Sequence, residues 1–264
     1  MTINGLGVYL GRGGLTSSRA REYARAGIRR VLLCAEAVSG DFFAPVALST
    51  KWGEVSKAAG LEVAAYTFPG LARTKSPEAV IEQLFRVLRA ANGKIPVLDV
   101  EAPYDGPNGP ARFRALADAA WRVATPEERS RLVITTLGSP SRPGRVPWGA
   151  IVSWAREHPG VSIGLQVYET AASDLRVDAR ISEVRAAIGS DLVFPCVATY
   201  ERDGDPNREG RDGPKRLLAD LDRSCFVNGR PVTACDLWSG ASLDAAELAV
   251  LPSYVQNMGW PCAR

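Results

Sequence analysis

Short apolar runs alternate along this chain with longer stretches in which apolar residues recur every three or four positions. The runs fall at residues 6–10, 30–35, 61–68, 95–101, 131–137, 161–168, 191–200 and 231–238. Each is short, rich in Val, Leu, Ile and Tyr, and bounded by turn residues, so each reads as a buried strand. Between them the period changes. Ile81, Leu84, Phe85 and Leu88 stand at helical spacing within 76–92, and Phe113, Leu116, Ala120 and Trp121 do so within 110–124. Helices are also predicted over 16–26, 49–59, 148–157, 177–188, 215–225 and 244–251. The punctuation agrees. Thr16 and Ser76 are N-cap residue types, and Pro77 suits a first helical turn. Gly27, Gly60, Asn92-Gly93, Pro159-Gly160 and Gly189 stand where helices should stop.

Eight strands, each followed by a helix, predict an α/β protein: a (β/α)8 TIM barrel formed as a single domain over 1–264. The length suits this fold, which typically takes roughly 250 residues. A doubly wound open sheet is the alternative. The glycines at Gly11, Gly13 and Gly14 form neither of the glycine-rich phosphate loops that such sheets carry. Pro195 interrupts the seventh strand, and a bulge is expected there.

In this fold, chemistry gathers at the C-terminal ends of the strands. The fourth strand ends Pro96-Val97-Leu98-Asp99-Val100-Glu101. Side chains two apart on a strand share a face, so Asp99 and Glu101 project together from backbone positions about 7 Å apart. Carboxylates that close shift each other's pKa, and one held protonated near neutral pH is what a general acid requires. The other strand ends bring Tyr9 and Arg12, Glu36, Tyr66, Thr135 and Thr136, Gln166 with Tyr168 and Glu169, Tyr200 and Glu201, and Asp236 with Trp238. Acids, tyrosines and an amide around one mouth suit a carbohydrate groove, where aromatic faces stack on sugar rings and polar groups bind hydroxyl and N-acetyl groups. Asp99 and Glu101 are therefore the candidate catalytic pair. Tyr9, Tyr66, Gln166, Tyr168, Tyr200, Asp236 and Trp238 are the candidate substrate-binding residues. Glu36, Glu169 and Glu201 serve equally well as rim partners for arginine. Convergence of the Asp99/Glu101, Gln166/Tyr168 and Asp236/Trp238 pairs depends on strand parity, which sequence leaves open.

Composition narrows the partners. Hydrophobic residues make up 46% and charged residues 23%, with a net charge of +3. The arginines are scattered rather than clustered, so no nucleic-acid partner is expected. The five cysteines form no C-x-x-C, and His158 is the only histidine, which leaves few zinc ligands. No metal or organic cofactor is expected. Cys34, Cys196 and Cys235 lie in apolar runs and read as buried thiols. His158 reads as a helix-terminal cation. The 203–209 loop begins like a calcium loop, but Arg208 and Pro214 stand where that pattern needs Gly and Glu. No secretory signal and no membrane span is visible. Synthesis in the cytoplasm is expected, with action outside the cell following lysis or delivery by an assembly.

The Pro96-to-Glu101 stretch resembles that of glycoside hydrolase family 25, the lysozymes that cleave peptidoglycan on a strand–helix barrel. Gln166-Val167-Tyr168 and Cys235-Asp236-Leu237-Trp238, followed by Ser239-Gly240, add to the likeness. The resemblance implies Glu101 as general acid and Asp99 as the carboxylate assisting the reacting sugar, on a peptidoglycan-type substrate. It departs at strand one, which reads Gly7-Val8-Tyr9-Leu10-Gly11 where the family has an Asp. Family 18 chitinase-like barrels are similar too, ending strand four in Asp-x-Glu and carrying Tyr with an acid on strand six, compare Tyr168-Glu169; their motif has Asp where Val97 stands here. Two readings follow: a hydrolase of N-acetylated cell-wall polysaccharide, or an inactive barrel that binds glycan or serves within a phage-tail or injection-type assembly.

Overall fold

The computed structural model describes residues 3–10, 14–35, 46–67, 75–101, 104, 106–141, 146–167, 177–198, 213–238 and 243–262. The strands are β1 (Gly5–Tyr9), β2 (Ile28–Cys34), β3 (Glu62–Tyr66), β4 (Ile95–Val100), β5 (Val133–Leu137), β6 (Ser162–Gln166), β7 (Val193–Ala198), the two-residue β8 (Phe226–Val227) and β9 (Arg230–Pro231), and β10 (Ala234–Trp238). The helices are α1 (Ser17–Arg25), α2 (Val46–Ala58), α3 (Pro77–Ala90), α4 (Gly109–Val123), α5 (Pro126–Arg129), α6 (Trp148–Glu157), α7 (Val177–Ile188), α8 (Gly213–Ser224) and α9 (Ala245–Asn257). Strands β1 to β7 pair in sequence order, and β10 closes the ring between β7 and β1. Every pair in the ring is parallel. The molecule is a (β/α)8 TIM barrel.

Local chemistry sets the helix ends. The Thr16 hydroxyl accepts from Arg19 N at 3.1 Å, and the Ser76 hydroxyl from Ala79 N at 3.3 Å. Asp244 and Glu247 form a reciprocal capping box at α9. Gly27 and Asn92, just past α1 and α3, take positive φ of 80° and 53°. Four details differ from expectation. Helix α9 continues past Leu251 through Pro252 to Asn257. A short α5, set by its own capping box at Thr125, precedes β5. The eighth barrel strand starts at Ala234, because Phe226–Pro231 folds first into the β8–β9 hairpin. Pro195 makes no bulge: the β6–β7 register runs straight through it, and the ladder to β10 begins one residue later, at Cys196. A ladder that starts past the proline does not need its missing N–H.

Alternation along the strands divides the core in two. One set of residues packs between sheet and helices, including Leu6, Val8, Leu33, Leu98 and Ile163. The other fills the barrel: Tyr9, Leu32, Cys34, Ala64, Tyr66, Ile95, Val97, Val133, Phe194, Cys196 and Ala234. Parity then follows. Asp99 is two residues beyond inward Val97, and Asp236 and Trp238 are two and four beyond inward Ala234. Asp99, Asp236 and Trp238 thus point to one interior; Tyr168, the partner of Gln166, lies outside the described residues.

Low in that interior, Arg30 from β2 pairs with Asp236 at 2.6 Å. Its guanidinium also donates to the carbonyls of Asn4 at 2.8 Å, Gly5 at 3.0 Å and Cys235 at 3.3 Å. The Phe194 ring lies 5.7 Å from it. Gly7 makes room: a β-carbon there would lie 2.0 Å from Asp236 Oδ1 and 2.6 Å from Arg30 Nε. All five cysteines are free; four are buried and Cys262 is exposed. Among the described residues no helix is long and apolar enough to cross a membrane.

Candidate functional site

At the end of β4 the two acids are treated differently. Asp99 is 1% exposed. Its Oδ1 accepts from Gln166 Nε2 at 2.7 Å and from the Thr135 hydroxyl at 3.1 Å. Its backbone N–H donates to Thr67 Oγ1 at 2.9 Å. Three strands or strand ends thus grip one residue: the adjacent β3 through Thr67 and β5 through Thr135, and β6, one strand further, through Gln166. Glu101, one pleat further along, is only partly buried. Burial pushes its carboxyl above the ordinary glutamate value, and the nearby Gln166 amide pulls it partly back.

The backbone beyond β4 is also held. Tyr104 N donates to the Glu101 carbonyl at 3.0 Å, and Tyr104 is buried. The α-carbon of Gly109 at the start of α4 packs on Tyr104, where a β-carbon would come within 1.8 Å of the Tyr104 carbonyl oxygen. Glycine is required there by closeness alone. The packing fixes where β4 ends, and with it where Glu101 emerges.

An aromatic cluster lies beside the acids. Tyr9 meets Tyr66 edge-on at 4.8 Å and Trp238 at 4.5 Å, and Tyr66 and Trp238 are 5.9 Å apart. Tyr9 is 2% exposed and Tyr66 5%, whereas Trp238 is partly open. Tyr9 and Tyr66 therefore sit beneath the mouth, and Trp238 is the ring of the three that a ligand can reach. Burial pushes the Tyr9 phenol well up, helped by the nearby Cys196, Asp236 and Asp99.

Of the residues singled out by sequence, the barrel brings Asp99, Glu101, Gln166, Tyr9, Tyr66 and Trp238 to its C-terminal half. Asp236 lies deeper, with its carboxylate engaged by Arg30; burial still raises its pKa against the pull of that guanidinium. Tyr168 and Tyr200 fall outside the described residues, as do Arg12, Glu36, Glu169, Glu201 and the 203–209 loop. His158 lies at the C-cap of α6, on the opposite side of the fold, with its ring stacked on Trp154 at 4.0 Å and its Nδ1 2.8 Å from the Trp154 carbonyl. Sequence reasoning missed Arg30, Thr67 and Gly7. Arg30 had a visible signal, since it alternates with Leu32 and Cys34 and so had to face inward with them.

Chemically, the site offers a carboxyl with a raised pKa at the surface, a second carboxylate fixed beneath it, an amide touching both, and one accessible indole. A carboxyl of raised pKa beside a second carboxyl held in place suits acid-catalysed cleavage. Among the described residues no group of three or more His, Cys, Asp and Glu side chains is placed to hold a metal ion.

Neither protein-family models nor curated protein sequences match the chain. Solved structures do. An endo-β-N-acetylglucosaminidase from Cordyceps militaris superposes with a TM-score of 0.63 at 10% identity, covering 96% of this chain and 90% of the enzyme. The catalytic domain of a hyperthermophilic chitinase from Pyrococcus furiosus gives 0.62 at 10% identity, over 98% and 97% of the two chains. The spore cortex-lytic enzyme SleL from Bacillus cereus gives 0.60 at 7%, over 94% and 74%. A D-psicose 3-epimerase gives 0.55 at 11% identity. At such identities the likeness is one of fold, and barrels of this shape host many chemistries.

Proposed function

We propose that this barrel is a glycoside-hydrolase-like protein that takes N-acetylated polysaccharide of the cell-wall type at its C-terminal mouth. Glu101 is the general acid and Asp99 the assisting carboxylate. The observation that carries this reading is the unequal acid pair: Asp99 gripped by Gln166 and Thr135, and Glu101 beside it with a raised pKa and partial exposure. In the reaction, Glu101 gives its proton to the glycosidic oxygen as the bond to the anomeric carbon breaks. The acetamido oxygen of the same sugar bonds to that carbon, and Asp99 supports the positive charge that develops on the acetamido group. Glu101, now a carboxylate, takes a proton from the water that opens this intermediate. The fold likeness to a chitinase, a glucosaminidase and a cortex-lytic enzyme supports this choice of substrate class. So does a variant of the Cordyceps enzyme in which an Asp and a Glu two positions apart are both changed to amides, solved with fucosyl-N-acetylglucosamine-Asn.

A second reading has its own support. Tyr9 fills the inward end of β1, where the lysozymes resembled here carry an acid. A barrel that binds glycan without cleaving it, as part of a larger assembly, accounts for that replacement. The two separate on one experiment: purified protein with cell-wall sacculi and with chitin oligomers, products followed by mass spectrometry and binding by co-sedimentation. Cleaved products support the hydrolase. Binding without cleavage supports the second reading, and neither binding nor cleavage removes both.

A further inference from the structure

Asparagine followed by glycine occurs four times in the chain, at Asn4-Gly5, Asn92-Gly93, Asn108-Gly109 and Asn228-Gly229. We infer that Asn228, alone of the four, is a site of spontaneous deamidation in the folded protein. The inference stands apart from the glycan reading. In the reaction the peptide nitrogen of the glycine attacks Cγ of the asparagine. That nitrogen gives its proton to a base in solvent, the side-chain amide leaves as ammonia, and a five-membered cyclic imide remains. Water then opens the ring at either carbonyl, leaving aspartate or its β-linked isomer. One water is taken up for each ammonia released. Glycine has no β-carbon to hinder the approach. All four pairs are therefore chemically competent, and the fold decides among them.

Three of the glycine nitrogens are engaged. Gly5 N donates to the Thr233 carbonyl at 2.8 Å, Gly93 N to that of Leu88 at 2.8 Å and Gly109 N to that of Gly106 at 3.0 Å. Each of these glycines is buried. Each is also packed too closely to turn. A β-carbon would lie 2.9 Å from the Pro261 carbonyl oxygen at Gly5, 2.8 Å from that of Val63 at Gly93 and 1.8 Å from that of Tyr104 at Gly109. Exposure of the asparagine does not separate the sites, since Asn92 and Asn108 are as exposed in class as Asn228. The glycine nitrogen does. Gly229 is exposed, and its N–H has no hydrogen bond among the described residues. Nothing lies within 4 Å of a β-carbon placed there.

Asn228 and Gly229 are the two turn residues of the β8–β9 hairpin, at positive φ of 52° and 72°. A residue with a side chain leaves that conformation readily, and strands of two residues hold the tip weakly. The base of the hairpin is held instead, by Val232 N on the Cys225 carbonyl at 2.9 Å and Trp260 Nε1 on the Val232 carbonyl at 2.7 Å. The tip can therefore open, bringing Gly229 N onto Cγ of Asn228, while the barrel stays closed. The product carries a new negative charge two residues from Arg230.

The test holds native protein in warm, mildly alkaline buffer beside the same protein unfolded in denaturant. Peptide mapping by mass spectrometry follows amide loss at each asparagine. Dividing each native rate by the unfolded rate at the same site removes the influence of sequence neighbours. A nitrogen that must first break a buried hydrogen bond reacts roughly 10- to 100-fold more slowly. The ratio at Asn228 should exceed those at Asn4, Asn92 and Asn108 by about that factor. Reaction through global unfolding would lower all four ratios alike, and equal ratios overturn the inference. So does a higher ratio at any of the other three, or native protein that keeps its Asn228 amide while the unfolded chain loses it.

Discussion

Gln166 on β6 reaches past the intervening β5 to place its Nε2 2.7 Å from Oδ1 of Asp99 on β4. The Thr135 hydroxyl of β5 fills the gap at 3.1 Å from the same oxygen. One carboxylate is thereby tied into the barrel wall, and its neighbour two residues on is left to face the mouth. Identical chemistry at positions 99 and 101 is divided into unequal roles by which strands stand opposite.

Glu101→Gln keeps shape and hydrogen bonding but has no proton to give. If the protein cleaves glycan, this variant should lose about 10²–10⁴-fold in turnover with binding retained. Hydrolysis of cell-wall fragments at equal folded concentration measures it, and equal rates would show that Glu101 is not the acid.

The raised pKa of Glu101 also predicts a pH-dependent stability. Its folded value lies above the ordinary 4.5. Between the two values the folded protein holds a proton that the unfolded chain has lost, so stability falls as pH rises through that window. Glu101→Gln removes this loss. The variant should be more stable than wild type near pH 7, and its advantage should fade as the pH drops below the ordinary value. Urea midpoints for the two proteins at several pH values give the comparison; an advantage independent of pH would contradict burial as the cause.

The Arg30–Asp236 pair should behave as a buried unit. Arg30→Met alone strands a carboxylate among apolar residues and should cost about 3–5 kcal/mol, while Arg30→Met with Asp236→Leu should recover most of it. Gly7→Ala forces a methyl group into the pair, and overpacking of this kind costs about 1–3 kcal/mol or more. Denaturant titration of these variants and of Asp236→Leu alone tests the coupling. Simple additivity of the Arg30 and Asp236 substitutions would refute it.

Thiol accessibility gives a chemical check on the core. Four of the five cysteines are buried and Cys262 is exposed. A thiol reagent should label one group per native chain at once and all five only after unfolding. Rapid native labelling of more than one would show that Cys34, Cys196, Cys225 or Cys235 is less enclosed than described.

Much of this was legible from pattern. Apolar runs in alternation with helical periodicity located all eight barrel strands, and Thr16 and Ser76 marked their helix starts. The Asp99/Glu101 placement followed from an apolar strand ending in two acids of one parity. What could not be read was depth. Tyr9, Tyr66 and Asp236 have the same composition signal as rim residues, yet barrel tilt and the neighbouring strands set them below the mouth. Asp236 looked like a ligand-facing acid because its partner is 206 positions away in sequence. Pairing of that kind leaves no local trace. Nor does the proximity of Gly109 to Tyr104, which depends on the path of a helix rather than on any nearby residue type.

The reach of Arg30 has a bearing on the order in which the chain folds. Its guanidinium binds carbonyls and a carboxylate on β1 and β10, the first and last strands of the ring. Contacts between sequence neighbours, such as β2 with β3 or β5 with β6, close short loops, whereas the β1–β10 seam closes nearly the whole chain. Entropy therefore places the seam late, after the adjacent units have assembled. An interaction made after the folding barrier acts as a latch: its loss leaves the rate of folding nearly unchanged and speeds unfolding. The charge in the barrel floor thus sets how long the ring, once closed, stays shut.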